Sequence, residues 1–125
     1  MSNECNVRRW DLLKSQLQNL KIGEVEQFLQ SHPDALLIDC RQSHEFNMVR
    51  FPQAIHLDYL AYEFWEKISA LPKDGVYLLY CNTCRRSTRA CTLMKNGVFP
   101  HVYNLDGGLK AWIEEKGDSA LVRGV

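Results

Sequence analysis

The fold of this chain is decided by one stretch, Val76-Tyr77-Leu78-Leu79-Tyr80-Cys81-Asn82-Thr83-Cys84-Arg85-Arg86-Ser87. Its first five residues form an apolar run typical of a buried strand, and the residues from Thr88 to Asn96 have the pattern of a helix. A strand therefore leads through a short loop into a helix. In that arrangement the backbone N–H groups and the positive end of the helix dipole meet at one point, where they stabilise an anion.

A cysteine, Cys81, occupies that point. The thiolate is the nucleophilic form of cysteine, and helix N-termini and neighbouring arginines favour it. Three arginines, Arg85, Arg86 and Arg89, follow closely along the chain. Cys81 is therefore the expected nucleophile.

The rest of the sequence alternates between predicted helices and strands, with a turn at residues 72–75. This alternation predicts an α/β fold with a mainly parallel central sheet and helices on both faces. The predicted helices are 8–20 (from Trp10, Leu13, Leu17 and Leu20), 24–30, 60–71, 88–96 with Gly97 at its C-cap, and 109–116, and the predicted strands are 36–39, 54–57, 76–80 and 102–105.

Composition limits the classes of function. The 125 residues fit one domain, and 15 basic residues balance 15 acidic residues, so no net charge draws the protein to nucleic acid or to an anionic membrane. No run of about 18 apolar residues is present. Five cysteines without the spacing of a disulfide framework suit a reducing compartment. We therefore expect a soluble, cytoplasmic protein with no nucleic-acid or membrane partner.

Three segments of the sequence together indicate a known family. They are Cys81 to Ser87; Ala35 to Arg41 with Glu45-Phe46 and Pro52-Gln53-Ala54-Ile55; and Val102 to Trp112, which contains Asp106-Gly107-Gly108. These segments resemble those of the rhodanese-like sulfurtransferases and occur in that family's order. The C-x4-R-S spacing of the loop resembles the family's active-site loop, whose first cysteine carries a persulfide. The resemblance implies a rhodanese-like domain over residues 22–116, preceded by an extension with an amphipathic helix (1–21) and followed by a tail (117–125).

The resemblance also implies a mechanism. Cys81 takes a sulfane sulfur from a small sulfur-containing anion or persulfide donor (thiosulfate, polysulfide or persulfide) and passes it to a thiol or protein acceptor. No cofactor and no metal are expected. Arg86 matches the family's loop-closing arginine, and we expect it to pair with Glu45. Asp39 and Arg41 match residues that support the loop, and the expected anion-binding residues are Asn82, Thr83, Cys84, Arg85, Arg86 and Ser87.

Cys84 departs from the family pattern, because many single-domain members have glycine there. It is a candidate resolving thiol that attacks the Cys81 persulfide, as the second cysteine of a C-x-x-C pair does. Alternatively, it is a tolerated substitution that points away. If the position requires a left-handed backbone, the replacement of glycine alters the loop.

Other functions are compatible with parts of the pattern. A regulatory or protein-interaction module with little turnover is the main alternative. Phosphatase or arsenate reductase activity is disfavoured because related phosphatases carry the longer C-x5-R loop, and a thiol–disulfide redox protein is disfavoured because no Trp-Cys-Gly-Pro-Cys run is present. The sequence does not predict an oligomeric state.

Overall fold

A computed structural model describes residues 9–124, in which the helices and strands alternate along the chain. The elements are α1 (Arg9–Ser15), β1 (Gln18–Leu20), α2 (Val25–Ser31), β2 (Leu36–Asp39), α3 (Ser43–Met48), β3 (Val49–Arg50), β4 (Ile55–His56), α4 (Phe64–Ser69), β5 (Tyr77–Tyr80), α5 (Arg85–Asn96), β6 (Val102–Leu105), α6 (Gly108–Lys116) and β7 (Val122–Arg123), with a 3₁₀ turn at Ile22–Glu24.

Five strands form one parallel sheet in the order β1-β6-β5-β2-β4. The mainly parallel sheet expected from the sequence is therefore confirmed. β5 lies at its centre, paired with β2 on one side and β6 on the other. Because the strands run parallel, their carboxyl ends share one edge, and Cys81 follows the last residue of β5 at that edge.

The sheet separates two hydrophobic cores, because successive side chains of a strand point to opposite faces. Tyr77 and Leu79 pack in one core, and Leu78 and Tyr80 pack in the other. The first core includes Phe64 and Ile68 of α4 and Ala90 and Met94 of α5; the second includes Val25 and Phe28 of α2 and Leu109 and Trp112 of α6. Helices cover both faces, as the alternating pattern predicted.

The helix predicted over residues 8–20 is wrong in its second half. α1 ends at Ser15, and Gln18–Leu20 form an edge strand in register with Tyr103–Leu105 of β6. The helical spacing of Leu17 and Leu20 also suits a strand, since Leu17 packs in the first core and Leu20 in the second. The exposed edge of β6 offers backbone partners, and this tertiary pairing outweighs the helical pattern.

The chain after α6 is not an isolated tail. β7 pairs antiparallel with β3, and Arg50 Nη1 donates to the carbonyl oxygen of Gly124 over 2.6 Å. The residues of α3 and β3 carry no predicted element. The helix predicted over 60–71 is shorter, Phe64–Ser69. Within residues 9–124, none of the helices is long and apolar enough to cross a membrane.

Candidate active site

Cys81 lies buried between the end of β5 and the start of α5. α5 begins at Arg85, three residues earlier than predicted, so that Ser87 belongs to its first turn. The backbone N–H of Ser87 donates to Sγ of Cys81 over 3.3 Å. The sulfur therefore lies at the positive end of a 12-residue helix, where a negative charge is stabilised.

Two backbone hydrogen bonds attach the loop to the start of α6. The N–H of Leu109 donates to the carbonyl oxygen of Cys81 (2.9 Å), and the N–H of Lys110 donates to that of Asn82 (3.0 Å). These bonds satisfy two N–H groups in the first turn of α6, which have no partners within the helix itself. They also turn both carbonyl groups of the loop toward α6.

Arg86 forms the expected ion pair with Glu45. Its Nη1 donates to Oε1 over 2.8 Å and its Nη2 donates to Oε2 over 3.2 Å, so the contact is bidentate. Oε1 also accepts the N–H of Gln42 at the start of α3. The hydrogen bond from Arg86 is the main cause that lowers the pKa of Glu45 to about 2. The pair joins the first turn of α5 to α3.

Asp39 and Arg41 form a buried ion pair at the end of β2. Nε of Arg41 donates to Oδ1 over 3.0 Å and Nη2 donates to Oδ2 over 2.8 Å. Nη2 also donates to the carbonyl oxygen of Val49, which directly follows α3 and begins β3. This pair fixes the β2–α3 segment, and with it the helix that carries Glu45.

Cys84 immediately precedes α5 and has a left-handed backbone, with φ 72° and ψ 4°. Its side chain is buried and lies within electrostatic range of Lys14 and Cys91. Lys14 forms an ion pair with Asp106, just before the start of α6. The N-terminal segment therefore reaches the side of the loop on which Cys84 lies.

The remaining loop side chains differ in their exposure to solvent. Asn82, Thr83 and Arg85 are exposed, whereas Arg86 is half-buried and Ser87 is fully buried. The structure thus divides the predicted anion-binding residues into an exposed group around the loop and an inner group beside the sulfur.

Cys40 and Cys91 are buried core residues with free thiols. Burial raises the pKa of both thiols well above the ordinary value, so they remain neutral. Cys5, the remaining cysteine, lies outside the described residues. Within residues 9–124, no group of three or more His, Cys, Asp or Glu side chains is placed to hold a metal ion.

One residue beside the site, Asn104, is absent from the residues predicted for it. Asn104 of β6 is fully buried, and its Oδ1 accepts the hydroxyl proton of Ser87 over 2.7 Å. A signal was present, since an amide inside a predicted buried strand must find hydrogen-bond partners. Periodicity does not indicate which partners those are.

Comparisons with known proteins agree with this architecture. The family model of the rhodanese-like domain matches residues 22–115. A sulfurtransferase of Allochromatium vinosum is 32% identical over 88 residues, which cover 70% of this chain and 80% of that protein. YtwF of Bacillus subtilis is 27% identical over 97 residues, covering 78% and 91%.

The fold has a solved counterpart in a rhodanese-like domain protein from Staphylococcus aureus. The two structures superpose with a TM-score of 0.73 at 19% sequence identity, covering 87% of this chain and all of that chain. At this identity the likeness concerns the fold, which is the rhodanese-like fold.

Proposed function

The chain belongs to the rhodanese-like domain family, and from that premise we propose that it is a sulfurtransferase in which Cys81 carries the transferred sulfur. One observation carries the proposal: Sγ of Cys81 lies at the N-terminus of α5, 3.3 Å from the N–H of Ser87. A relative that is 32% identical is named a sulfurtransferase, which supports the same activity.

The reaction has two displacements. The Cys81 thiolate attacks the sulfane sulfur of the donor, the donor's bond to that sulfur breaks, and the remainder of the donor leaves with the electron pair. An acceptor nucleophile then attacks the outer sulfur of the Cys81 persulfide, and the Cys81 thiolate is the leaving group. Each step places negative charge on sulfur beside the first turn of α5, where the helix dipole and the Ser87 N–H favour it.

Loop size and burial favour a small donor. Cys81 is 1% exposed, so only a slender group reaches the sulfur. The C-x4-R loop is one residue shorter than the C-x5-R loop of the related phosphatases, which suits one sulfur atom better than a tetrahedral phosphate. We propose thiosulfate, a polysulfide or a persulfide as the donor and a thiol or protein as the acceptor, with the exposed Arg85 meeting the donor's negative charge.

The supporting groups have separate roles in this proposal. Arg86 and Glu45 hold the loop closed through their bidentate contact, while Asp39 and Arg41 fix the segment that carries Glu45. None of these four side chains is required to touch the donor.

Mass spectrometry tests the assignment. The protein is incubated separately with thiosulfate and with polysulfide, and intact and peptide masses are taken. We expect the mass of one added sulfur, which fragment ions of the peptide place on Cys81 and not on Cys84, and no turnover by Cys81→Ala. Cys91→Ala is the matched control, since it removes a buried thiol from the same hydrophobic core. Added sulfur on Cys84 without Cys81, or full turnover by Cys81→Ala, would overturn the proposal.

A steady-state assay across several donors separates the enzyme from the alternative of a regulatory module. An enzyme transfers sulfur repeatedly to cyanide or a thiol with at least one donor. If Cys81 accepts sulfur but turnover is very slow with every donor, the result favours the regulatory module.

A further inference from the structure

A chain of hydrogen bonds runs from the N-terminal segment to Cys81 through buried polar side chains. Nδ2 of Asn104 donates to Oδ1 of Asn19 over 3.1 Å, and Oδ1 of Asn104 lies 2.7 Å from Oγ of Ser87. Oγ of Ser87 lies 3.5 Å from Sγ of Cys81. The chain therefore joins β1, β6 and α5 to the sulfur.

Two backbone carbonyl groups fix the direction of this chain. Nδ2 of Asn19 lies 2.9 Å from the carbonyl oxygen of Lys14 and 3.3 Å from that of Leu17. Carbonyl oxygens accept and cannot donate, so the NH₂ group of Asn19 must face them. Its Oδ1 then faces Asn104, which must present its own NH₂ group. Oδ1 of Asn104 is consequently left to face Ser87.

The hydroxyl group of Ser87 is fixed in turn. An amide oxygen cannot donate, so Ser87 must donate to Oδ1 of Asn104, and a serine hydroxyl has a single proton. Oγ of Ser87 therefore presents a lone pair to Sγ of Cys81. It can accept the S–H of the thiol, but it does not donate to the thiolate, which is left with the Ser87 backbone N–H.

Turning the hydroxyl toward the sulfur would be costly. Oδ1 of Asn104 is in a residue with no exposed surface, and it would lose its donor without gaining water. The other partners of Asn104, Asn19 and Thr88, both lie on its Nδ2 side and cannot replace Ser87.

We propose that Asn104 is a positioning residue that holds the hydroxyl proton of Ser87 away from Cys81, and that Asn19 fixes the direction of the Asn104 amide. The inference deepens the proposed function, because it rests on Cys81 being the nucleophile. A thiolate becomes a stronger nucleophile as it becomes more basic. Withholding one hydrogen bond therefore makes the Cys81 thiolate, once formed, a stronger nucleophile toward a sulfur donor.

The other titratable and charged groups around Cys81 come from α5 and from the residue that follows β2. Arg86 lies on α5 with Cys91, and Cys40 follows β2. Burial raises the pKa of Cys40 and Cys91 well above the ordinary value, so both stay neutral across the working range. Arg86 is paired with Glu45 and keeps its charge. None of these groups is altered in the variants below.

The pH profile of alkylation by iodoacetamide tests the inference, with alkylation of Cys81 distinguished from that of Cys84 by fragment ions of their shared peptide. In Asn104→Leu, Ser87 is free to donate to the thiolate, so the midpoint of the profile falls by about one pH unit, the effect of one hydrogen bond to a charged group. In Ser87→Ala no hydroxyl remains, so adding Asn104→Leu to that variant leaves the midpoint unchanged. If Asn104→Leu acted only by loosening the structure, it would shift the midpoint equally in the wild type and in Ser87→Ala.

A second pair of variants keeps the test decisive if Asn104→Leu fails to fold. Asn19→Ala and Thr88→Val each remove one acceptor from Nδ2 of Asn104. Only Asn19→Ala lets the amide turn over, because the Thr88 hydroxyl can then donate to Oδ1 while Nδ2 faces Ser87. The midpoint falls in Asn19→Ala and stays in place in Thr88→Val, and urea denaturation checks that both variants are folded.

The inference is overturned if the midpoint is unchanged or raised in folded Asn104→Leu, or if its shift persists in the Ser87→Ala background. Equal shifts in Asn19→Ala and Thr88→Val would also overturn it. Alkylation requires no sulfur donor, so a failure of sulfur transfer is read separately from a failure of this inference.

Discussion

Gly108 lies against the backbone of Cys81, so close that a Cβ built on Gly108 would come within 2.5 Å of the Cys81 carbonyl oxygen. The same Cβ would lie 2.5 Å from the carbonyl oxygen of Asn82. This approach lets the first turn of α6 donate to both carbonyl groups. Gly108 also has a φ of 66°, so glycine is required there for space and for conformation.

Gly108→Ala should therefore destabilise the protein and disturb the loop. The left-handed backbone costs an alanine about 1 kcal/mol, and the clash with rigid backbone atoms raises the total to about 3 kcal/mol or more. Gly124→Ala is the control for the positive φ, because Gly124 has a φ of 83° but nothing within 4 Å of its Cβ position. Urea denaturation measures the free energy of unfolding of both variants. Equal losses of stability in the two variants would show that close packing of Gly108 is unimportant.

The left-handed backbone of Cys84 gives a second prediction. Cys84→Gly and Cys84→Ala both lose the buried thiol, but only glycine adopts a φ of 72° without a steric cost. The glycine variant should be the more stable by about 1 kcal/mol, even though glycine is the more flexible residue when unfolded. Urea denaturation of the pair checks this, and a more stable alanine variant would contradict it.

Cys84 is also the proposed resolving thiol. Its sulfur attacks Sγ of the Cys81 persulfide, the bond to the outer sulfur breaks, and hydrosulfide leaves with the proton of the Cys84 thiol. Sulfur-loaded protein should then release sulfide without added thiol and end with a Cys81–Cys84 disulfide, which a dithiol reductant reopens.

Cys84→Ser should keep its persulfide longer and still transfer sulfur to cyanide, which attacks the outer sulfur directly. Mass spectrometry and a sulfide assay follow both species. Equal persulfide lifetimes in the wild type and Cys84→Ser, with no internal disulfide, would leave Cys84 as a substitution for glycine.

The ion pair between Arg86 and Glu45 should make stability depend on pH. The pKa of Glu45 is about 2 in the folded protein, mainly because of the hydrogen bond from Arg86, and about 4.3 in an unfolded chain. Because the pKa of Glu45 is lower in the folded protein, the ion pair contributes fully to the free energy of unfolding above about pH 4.3. This contribution is lost as the pH falls toward 2. Solvent screening of this half-buried pair limits its contribution to the free energy of unfolding to about 1 kcal/mol.

Glu45→Gln should therefore be less stable than the wild type at pH 7 and equally stable near pH 2. Glutamine can still accept the N–H of Gln42, so the start of α3 is preserved. Glu26→Gln is the control, since the pair of Glu26 with Lys116 lies on the surface and should matter less. If the difference in free energy of unfolding between Glu45→Gln and the wild type did not change with pH, the ion pair of Glu45 would not be the source of the pH dependence.

Local sequence signals identified the centre of the molecule. The apolar run that became β5, the loop after it and the helix after the loop were all predicted, because a buried strand and an amphipathic helix each have their own period. β2 and β6 were predicted with the bounds that the structure has. Short elements such as β3 and β7 were missed, since two residues are too few to establish a period.

The sequence by itself determined the family, the parallel sheet and the position of Cys81 between a strand and a helix. Only the tertiary structure decided that residues 18–20 form an edge strand, that Gly108 packs on the loop, and that Asn104 fixes the Ser87 hydroxyl. The physical reason is the distance along the chain between partners. Asn19 and Asn104 are 85 residues apart, and the direction of their hydrogen bond depends on carbonyl groups that no local pattern places beside them.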